Sequence, residues 1–541
     1  MLETDVLVIG GGLAGLTAAW SLKLPRGMKT MVLATGAGAS PYVHGFNIPL
    51  DSHDSPERFL QDTLKSGYYQ GDPALAEALC GDSPKLPEFL ENLGISLDRK
   101  GGEYALLRPL GASVPRVASA GNHTGAVIMK KLRSQLAADT GVQFYDGLRA
   151  LRLFTENGAV QGVLAYDTAK KDFTCIRTKA VILATGGFCN IFPFSTNSSD
   201  IGGDGIAMAY LAGAPLVDME FIQFEPSVAL FPEPIRGKGM ITTLFYEGAV
   251  LLNGNKERFM LNYGPNGEKV DKDILAYAIY QEARKSPSPH GGVWFDASGV
   301  PAQDLREAYP MYVKRYADVG IDITKEAFEV GCAPHTSLGG VKITPSGATA
   351  VRGLFACGEV TGGLHGANRI GGNAGLETLV FGMRAGEIAG GYLTGFADDY
   401  RLPDSVLEEW AEQEAFPKLP ASEHIPLQEL RDQMEKILEQ DLNVARNSAG
   451  LRRGLEELNL LSEKLPRRAT DPGAAFERLH LENDLYTARL AVTAALEREG
   501  SVGCHIREDS VQETQRYHVE LHRTPQEIFA EKKYLERDDG T

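Results

Sequence analysis

In the segment LHGANRIGGNAGLETLVFG, Leu364 to Gly382, one guanidinium, Arg369, stands in a glycine-rich run ahead of an apolar stretch with helical spacing. Such a loop presents backbone N–H groups and the positive end of a helix dipole, both of which favour an anion. Arginine adds a planar, permanently charged fork that can grip a carboxylate at two points. A tight turn with a surface arginine is the plainer alternative. Other glycine turns offer related chemistry. In TDVLVIGGGLAGLTAAW, Gly10, Gly12 and Gly15 have the G-x-G-x-x-G spacing between an apolar run and an alanine-rich one, the context of a dinucleotide pyrophosphate site. AVILATGGF ends an apolar strand in Gly186 and Gly187. GGDGIAMAYLAGA opens a small-residue helix with Asp204, suited to a sugar or phosphate, and GLFACGEVTGG plants Glu359 at its turn. Each turn taken singly also reads as an ordinary strand-to-helix turn. Repeated along one chain, they point to one cofactor touched by several segments. After TMVLAT, where such folds often place an acid for the ribose, stand Ala34 and Thr35, which argues for a larger cofactor than free NAD.

These turns need strands and helices to hold them. The chain has 541 residues, long enough for about three domains at roughly 150 residues each. Its 60 glycines predict many close backbone approaches, and 43% apolar residues predict a large core. A net charge of -17 argues against a nucleic-acid or anionic-membrane surface, so an anionic substrate must find a local basic pocket. Six scattered cysteines without CxxC pairing or metal-ligand spacing fit a reducing, cytoplasmic setting with no bound metal. The immediate start of DVLVIGGG leaves no room for a leader, and the lack of a long apolar run argues against direct membrane insertion. Between residues 221 and 331 the texture changes to short mixed elements with several prolines, which predicts an inserted domain. Beyond about residue 396, helical spacing takes over: Leu430, Met434, Ile437 and Leu438 share a face, as do Leu451, Leu455 and Leu458. LPRRATDPGAA is a loop between two of these helices.

The order of VIGGGLAGLTAA, GNHTG, ILATGG, GGDGIAMAYLAGA, MEFIQFEP, NKERFM, HTSLGGV and GLFACGEVTGGLHGANRIGGN resembles the flavoprotein family of succinate dehydrogenase, fumarate reductase and L-aspartate oxidase, nearly end to end. REGSVGCHIRED extends the likeness more loosely. The resemblance implies an α/β Rossmann-like FAD-binding domain in two pieces, 1–220 and 332–395, an α+β capping domain at 221–331, and a C-terminal helical domain at 396–541. It assigns FAD contacts to Gly10, Gly12, Gly15, Gly186, Gly187, Asp204, Glu359, Asn373 and Leu376. His335 in HTSLGG and Arg369 in HGANRIGGN match the positions that hold a substrate carboxylate.

The other half of the site departs from the pattern. Glu225 in QFEPS replaces the family's histidine in QFHPT, and the proton-carrying arginine of RDVVARA falls on Tyr277 in KDILAYAI. The family's threonine and glutamate fall on Ile241 and Thr242, or, with a gap, Glu247 takes the acidic place. Arginine and tyrosine differ in charge and pKa, so Tyr277 or Glu225 becomes the candidate acid or base. His44 lies where the family has a glutamine and not at the flavin-linking histidine, and Phe46 replaces a glycine, which implies non-covalent FAD. The expectation is an FAD-dependent oxidoreductase passing a hydride between flavin and a small carboxylate. With basic side chains lost, a monocarboxylate or a substrate with a neutral or cationic far end suits Glu225 better than a dicarboxylate, unless Arg236 or Lys238 restores positive charge. The alternatives are an L-aspartate oxidase or fumarate reductase/succinate dehydrogenase flavoprotein with a rearranged site, and an FAD-binding electron-transfer subunit. Since the chain has no iron–sulfur spacing, an iron–sulfur or other electron-transfer subunit is the expected partner for all but oxygen-linked chemistry.

Overall fold

The computed structural model describes residues 1–541 except 122, 140, 396–401, 418–424, 467, 525–526 and 536–541. Five parallel strands form the central sheet in the order Leu354–Ala356, Ala180–Leu183, Val6–Ile9, Thr30–Ala34, Val142–Asp146. The middle strands are buried on both faces, which explains their continuous apolar runs. The glycine turn after Val6–Ile9 leads into helix Leu13–Ser21, and Gly10 adopts a φ of +126° that only glycine takes easily. A methyl on Gly15 would run into the Gly10 carbonyl oxygen, so this glycine sets how closely helix and strand approach. The long helix Asn373–Thr394 crosses the first helix on its own glycines: a side chain at Gly382 or Gly386 would meet the backbone of Ala14 or Ala18.

A four-stranded sheet of Leu2–Glu3, Asp172–Arg177, Ala159–Asp167 and Leu148–Glu156 stands beside this core. Segment 221–331 supplies most of a second antiparallel layer, Ile222–Ala229, Phe328–Ser337, Val293–Asp296 and Val250–Leu252, against which helix Lys272–Lys285 packs. It has its own apolar cluster, in which Phe295 stacks on Phe328 and Tyr316 tilts against it. The mixed texture of the sequence therefore corresponds to a separate hydrophobic centre. Beyond residue 426, helices Leu427–Asp441, Ser448–Glu463 and Pro472–Glu497 pack through the expected faces, with Leu430, Met434, Leu438, Leu451 and Leu458 fully buried. Of the predicted loop LPRRATDPGAA, Pro472 to Ala475 already belong to the second helix and residue 467 lies outside the described residues; Asp471 caps that helix by accepting the Ala474 N–H. The helical spacing held no sign of the hairpin that follows: Tyr517–Arg523 and Ile528–Tyr534 join Leu216–Val217 in a further sheet, so this segment is helical only in its first part. Among the described residues no helix is long and apolar enough to cross a membrane.

Candidate active site

The glycine turns and the second layer enclose one cavity of about 860 Å³, near the upper end of the range usual for small-molecule sites. Its walls change character from one side to the other. Gly10, Gly12, Thr35, Gly36 and Gly38 line the side at the strand ends, where helix Leu13–Ser21 opens without a side-chain cap on Gly12. The N-terminus of helix Asn373–Thr394 is likewise uncapped, begins at Gly372 with φ +93°, and brings Gly372, Ala374 and Gly375 to the wall. Two helix N-termini and a glycine-lined wall suit a long ligand carrying phosphates. Thr185 Oγ1 and Asp200 Oδ1, on residues of this wall, are buried without a hydrogen-bond partner, so polar groups are waiting for one. This wall fits FAD.

Most of the expected cofactor residues lie there, and several do not. Gly10, Gly12, Gly186, Asp204 and Glu359 line the cavity. Gly15 and Gly187 do not. The first spaces helix from strand, and the second leaves room for Glu359, whose carboxylate a side chain at Gly187 would strike. Asn373 and Leu376 also lie off the wall: Asn373 accepts from Asn47 Nδ2 at 2.6 Å and donates to Thr63 Oγ1 at 3.3 Å, which occupies both ends of its amide. Asp204 reaches the wall, yet its carboxylate is engaged by Arg149 at 2.8 Å, His480 at 3.1 Å and Asn483 at 2.7 Å. Burial favours its neutral form, but His480 and Arg149 outweigh that and hold it well below the usual carboxylate range. Glu359 is pushed up to about 7, chiefly by burial, although it accepts the Ser337 N–H at 3.1 Å.

The opposite side, under the second layer, is where charge collects. Arg369, His335 and Glu225 all line it, as the resemblance implies. Arg369 is buried; its Nη1 donates to the Ile370 carbonyl at 3.2 Å, and its Nε has no partner. Gln223 donates from Nε2 to the Arg369 carbonyl at 3.1 Å, fixing the loop to strand Ile222–Ala229. Burial lowers the pKa of this guanidinium against the pull of Glu359 and Glu225, and a buried guanidinium with an unpaired Nε is suited to an anion. His335 pairs through Nδ1 with Thr196 Oγ1 at 2.7 Å, and its Nε2 lies 3.9 Å from Glu225. Burial takes its pKa down to about 4, so the ring is neutral at pH 7 and serves as a hydrogen-bonding group.

Tyr277 is not on the wall; it sits part-buried against the main core. Lys272, at the start of the same helix, is on the wall instead, with its Nζ 2.6 Å from Glu225 Oε2. Burial would raise the Glu225 pKa, but Lys272, with His335 and Arg369, outweighs it and keeps the carboxylate ionised below its ordinary range. The expected preference of Glu225 for a neutral or cationic substrate end therefore loses its basis, because Lys272 already satisfies that charge. Ile241 and Thr242 line the cavity, whereas Glu247 accepts from Tyr309 at 2.5 Å and does not. Lys238 reaches the wall, while Arg236 lies over the Phe194 ring instead. Arg315, unremarked in the sequence, also lines this side; it donates to the Gly239 carbonyl at 3.1 Å and has no carboxylate at ion-pair distance among the described residues. His44 lines the cavity beside Tyr312, its Nε2 3.4 Å from the phenol oxygen.

The family of FAD binding domains matches residues 5–374, and the fumarate reductase flavoprotein C-terminal family matches residues 431–536. The chain is 34% identical to a subunit of the fumarate reductase (CoM/CoB) of Methanothermobacter marburgensis, over 94% of this chain and 95% of that protein. It is 31% identical to an L-aspartate oxidase of Yersinia pestis, over 93% of this chain and 95% of the oxidase. A quinol fumarate reductase chain of E. coli superposes with a TM-score of 0.90 at 26% identity, covering 99% of this chain and 97% of that one. With its glycine-lined cofactor wall and its buried Arg369, this chain belongs to the family of FAD-dependent oxidoreductases that includes the fumarate reductase flavoprotein and L-aspartate oxidase.

Proposed function

We propose that the chain interconverts a small dicarboxylate and its unsaturated counterpart, as its fumarate reductase relatives' names suggest, with the first carboxylate on Arg369. The observation that carries this reading is the idle Nε of a buried guanidinium on the cavity wall, next to a lysine–carboxylate pair. FAD, when bound, supplies the two-electron partner that takes or gives a hydride. The protein supplies the rest. Arg369, with neutral His335, orients the carboxylate; such a clamp favours a fixed reacting geometry over free tumbling. Saturating a carbon–carbon double bond also consumes a proton, and Lys272 is the positioned donor, oriented by the Glu225 carboxylate at 2.6 Å and reprotonated from bulk water after each turnover. Tyr277 has no part in this route. Arg315 and Lys238 hold the second carboxylate, which replaces the expected monocarboxylate with a dianion.

In the same reading, 1–220 and 332–395 form the FAD-binding domain, 221–331 the cap and 396–541 the C-terminal domain; a separate apolar cluster supports setting the cap apart, while the C-terminal helices share the larger cluster with the FAD-binding pieces. FAD is held without a covalent bond, since His44 stands at the family's glutamine position and not at the flavin-linking histidine. An iron–sulfur or other electron-transfer subunit is the electron-exchanging partner, in keeping with a relative named as one subunit of a fumarate reductase; the cytoplasm is the proposed setting, in keeping with six unpaired cysteines. The test is anaerobic: holoenzyme with chemically reduced flavin is mixed with fumarate, its monoethyl ester, crotonate or iminoaspartate. Rapid flavin reoxidation by fumarate and a much slower response to the monoester support the reading. Equal responses to both overturn the dicarboxylate assignment, and reduction of oxidised flavin by L-aspartate but not by succinate favours the oxidase.

A further inference from the structure

Strand Thr30–Ala34 ends in Ala34 and Thr35, so it offers no carboxylate where dinucleotide-binding folds present one to the ribose. The structure fills that place from elsewhere. Asp200, in the loop before helix Asp204–Leu211, reaches the glycine loop after the strand and accepts the Gly38 N–H through Oδ2 at 2.9 Å. Gly36 is glycine because a side chain there would collide with that carboxylate. The second oxygen, Oδ1, is buried, has no partner, and belongs to a residue on the cavity wall between Thr35–Gly38 and Arg149. A buried carboxylate oxygen without a donor is costly, and the cost is recovered when a ligand hydroxyl supplies one. Among the described residues, the acids on the cofactor side of this wall are Asp200, Asp204 and Glu359; Asp204 is already engaged by three protein donors, and Glu359 is turned to Ser337.

We propose that Asp200 is the ribose-binding acid of this flavoprotein, accepting a hydroxyl of the adenosine ribose through Oδ1. The proposal rests on FAD as the cofactor and adds a residue that the glycine fingerprint does not contain. The distance along the chain explains its absence from the motif: the carboxylate comes from 162 residues beyond the loop it joins.

The experiment measures binding, not turnover. Flavin-stripped protein and its Asp200→Ala variant are titrated with FAD, with FAD analogues lacking the 2′ or the 3′ hydroxyl of the adenosine ribose, and with FMN, following flavin fluorescence. The wild type should bind one deoxy analogue about 10- to 100-fold more weakly than FAD, the range of a hydrogen bond to a charged group. Asp200→Ala should lose the same factor for FAD, discriminate no longer between FAD and that analogue, and bind FMN as the wild type does. Equal weakening of FMN, FAD and both analogues would assign Asp200 to loop support alone and overturn the proposal, as would unchanged FAD affinity. Failure of the wild type to bind FAD at all would instead overturn the cofactor assignment.

Discussion

Replacing Lys272 by Met removes the cation that keeps Glu225 ionised in a site where the two side chains are only 14% and 9% exposed. Stability and chemistry should respond separately. Breaking a buried pair from one side leaves an uncompensated charge and costs about 3–5 kcal/mol. Burial then dominates Glu225, whose pKa must rise from its lowered value, and the carboxyl takes up a proton to limit that loss. Losing a positioned proton donor separately costs about 10²- to 10⁴-fold in turnover. A second change, Glu225→Gln, removes the orphaned charge and should recover most of the stability while leaving turnover low. Urea unfolding of holoenzyme gives the first quantity; fumarate-dependent reoxidation of reduced flavin at saturating substrate gives the second. Recovery of both in the double variant would make the pair a packing device and refute its proton role. So would turnover in Lys272→Met within about threefold of wild type, a change worth less than 1 kcal/mol of barrier.

His335 falls from 6.5 to about 4, so the folded protein binds fewer protons than the unfolded chain between those values. Its contribution is complete above pH 6.5 and is lost as pH falls through about 4; stability measured down that range should decline, with a shallower decline in His335→Gln, and kcat/KM should show no His335 step near 6.5. Acid precipitation of the holoenzyme should release all the yellow colour to the supernatant; colour retained in the pellet would mean a covalent link, for which His44 is the first residue to examine. Gly15→Ala forces a methyl against the Gly10 carbonyl and should cost about 2 kcal/mol or more while loosening FAD, seen as free flavin on gel filtration.

What the sequence made legible follows from which contacts are local. Val6–Ile9, its glycine turn and Leu13–Ser21 are contiguous, so strand, turn and helix could be read from one string, and Arg369 carries its own helix N-terminus a few residues on. The cap appeared as a change of texture because its core is its own. Lys272 was hidden by helical geometry. It stands five residues before Tyr277, about 140° away around the helix at 3.6 residues per turn, so only one of the two can face the cavity. A register taken from resemblance selected Tyr277, whereas packing against strand Ile222–Ala229 selects Lys272. Asn373 looked like a cofactor contact by position, yet Asn47 and Thr63, more than 300 residues earlier, consume its amide. Arg315 and Asp200 act through chain-distant neighbours, Gly239 and Gly38, which no local spacing announces. The terminal hairpin is legible only once Leu216–Val217 is known to offer an edge.

Arg369 is the proposed anchor of a substrate carboxylate, and the most direct test of that role is ligand binding to holoenzyme carrying Arg369→Met. Succinate or fumarate is titrated into wild type and variant while the flavin difference spectrum is followed. Truncating one partner of a buried charge pair costs about 2–5 kcal/mol, so the variant should keep its FAD and bind the dicarboxylate about 30- to 5,000-fold more weakly. Dicarboxylate affinity within about threefold of wild type, with flavin retained, would contradict the anchoring role.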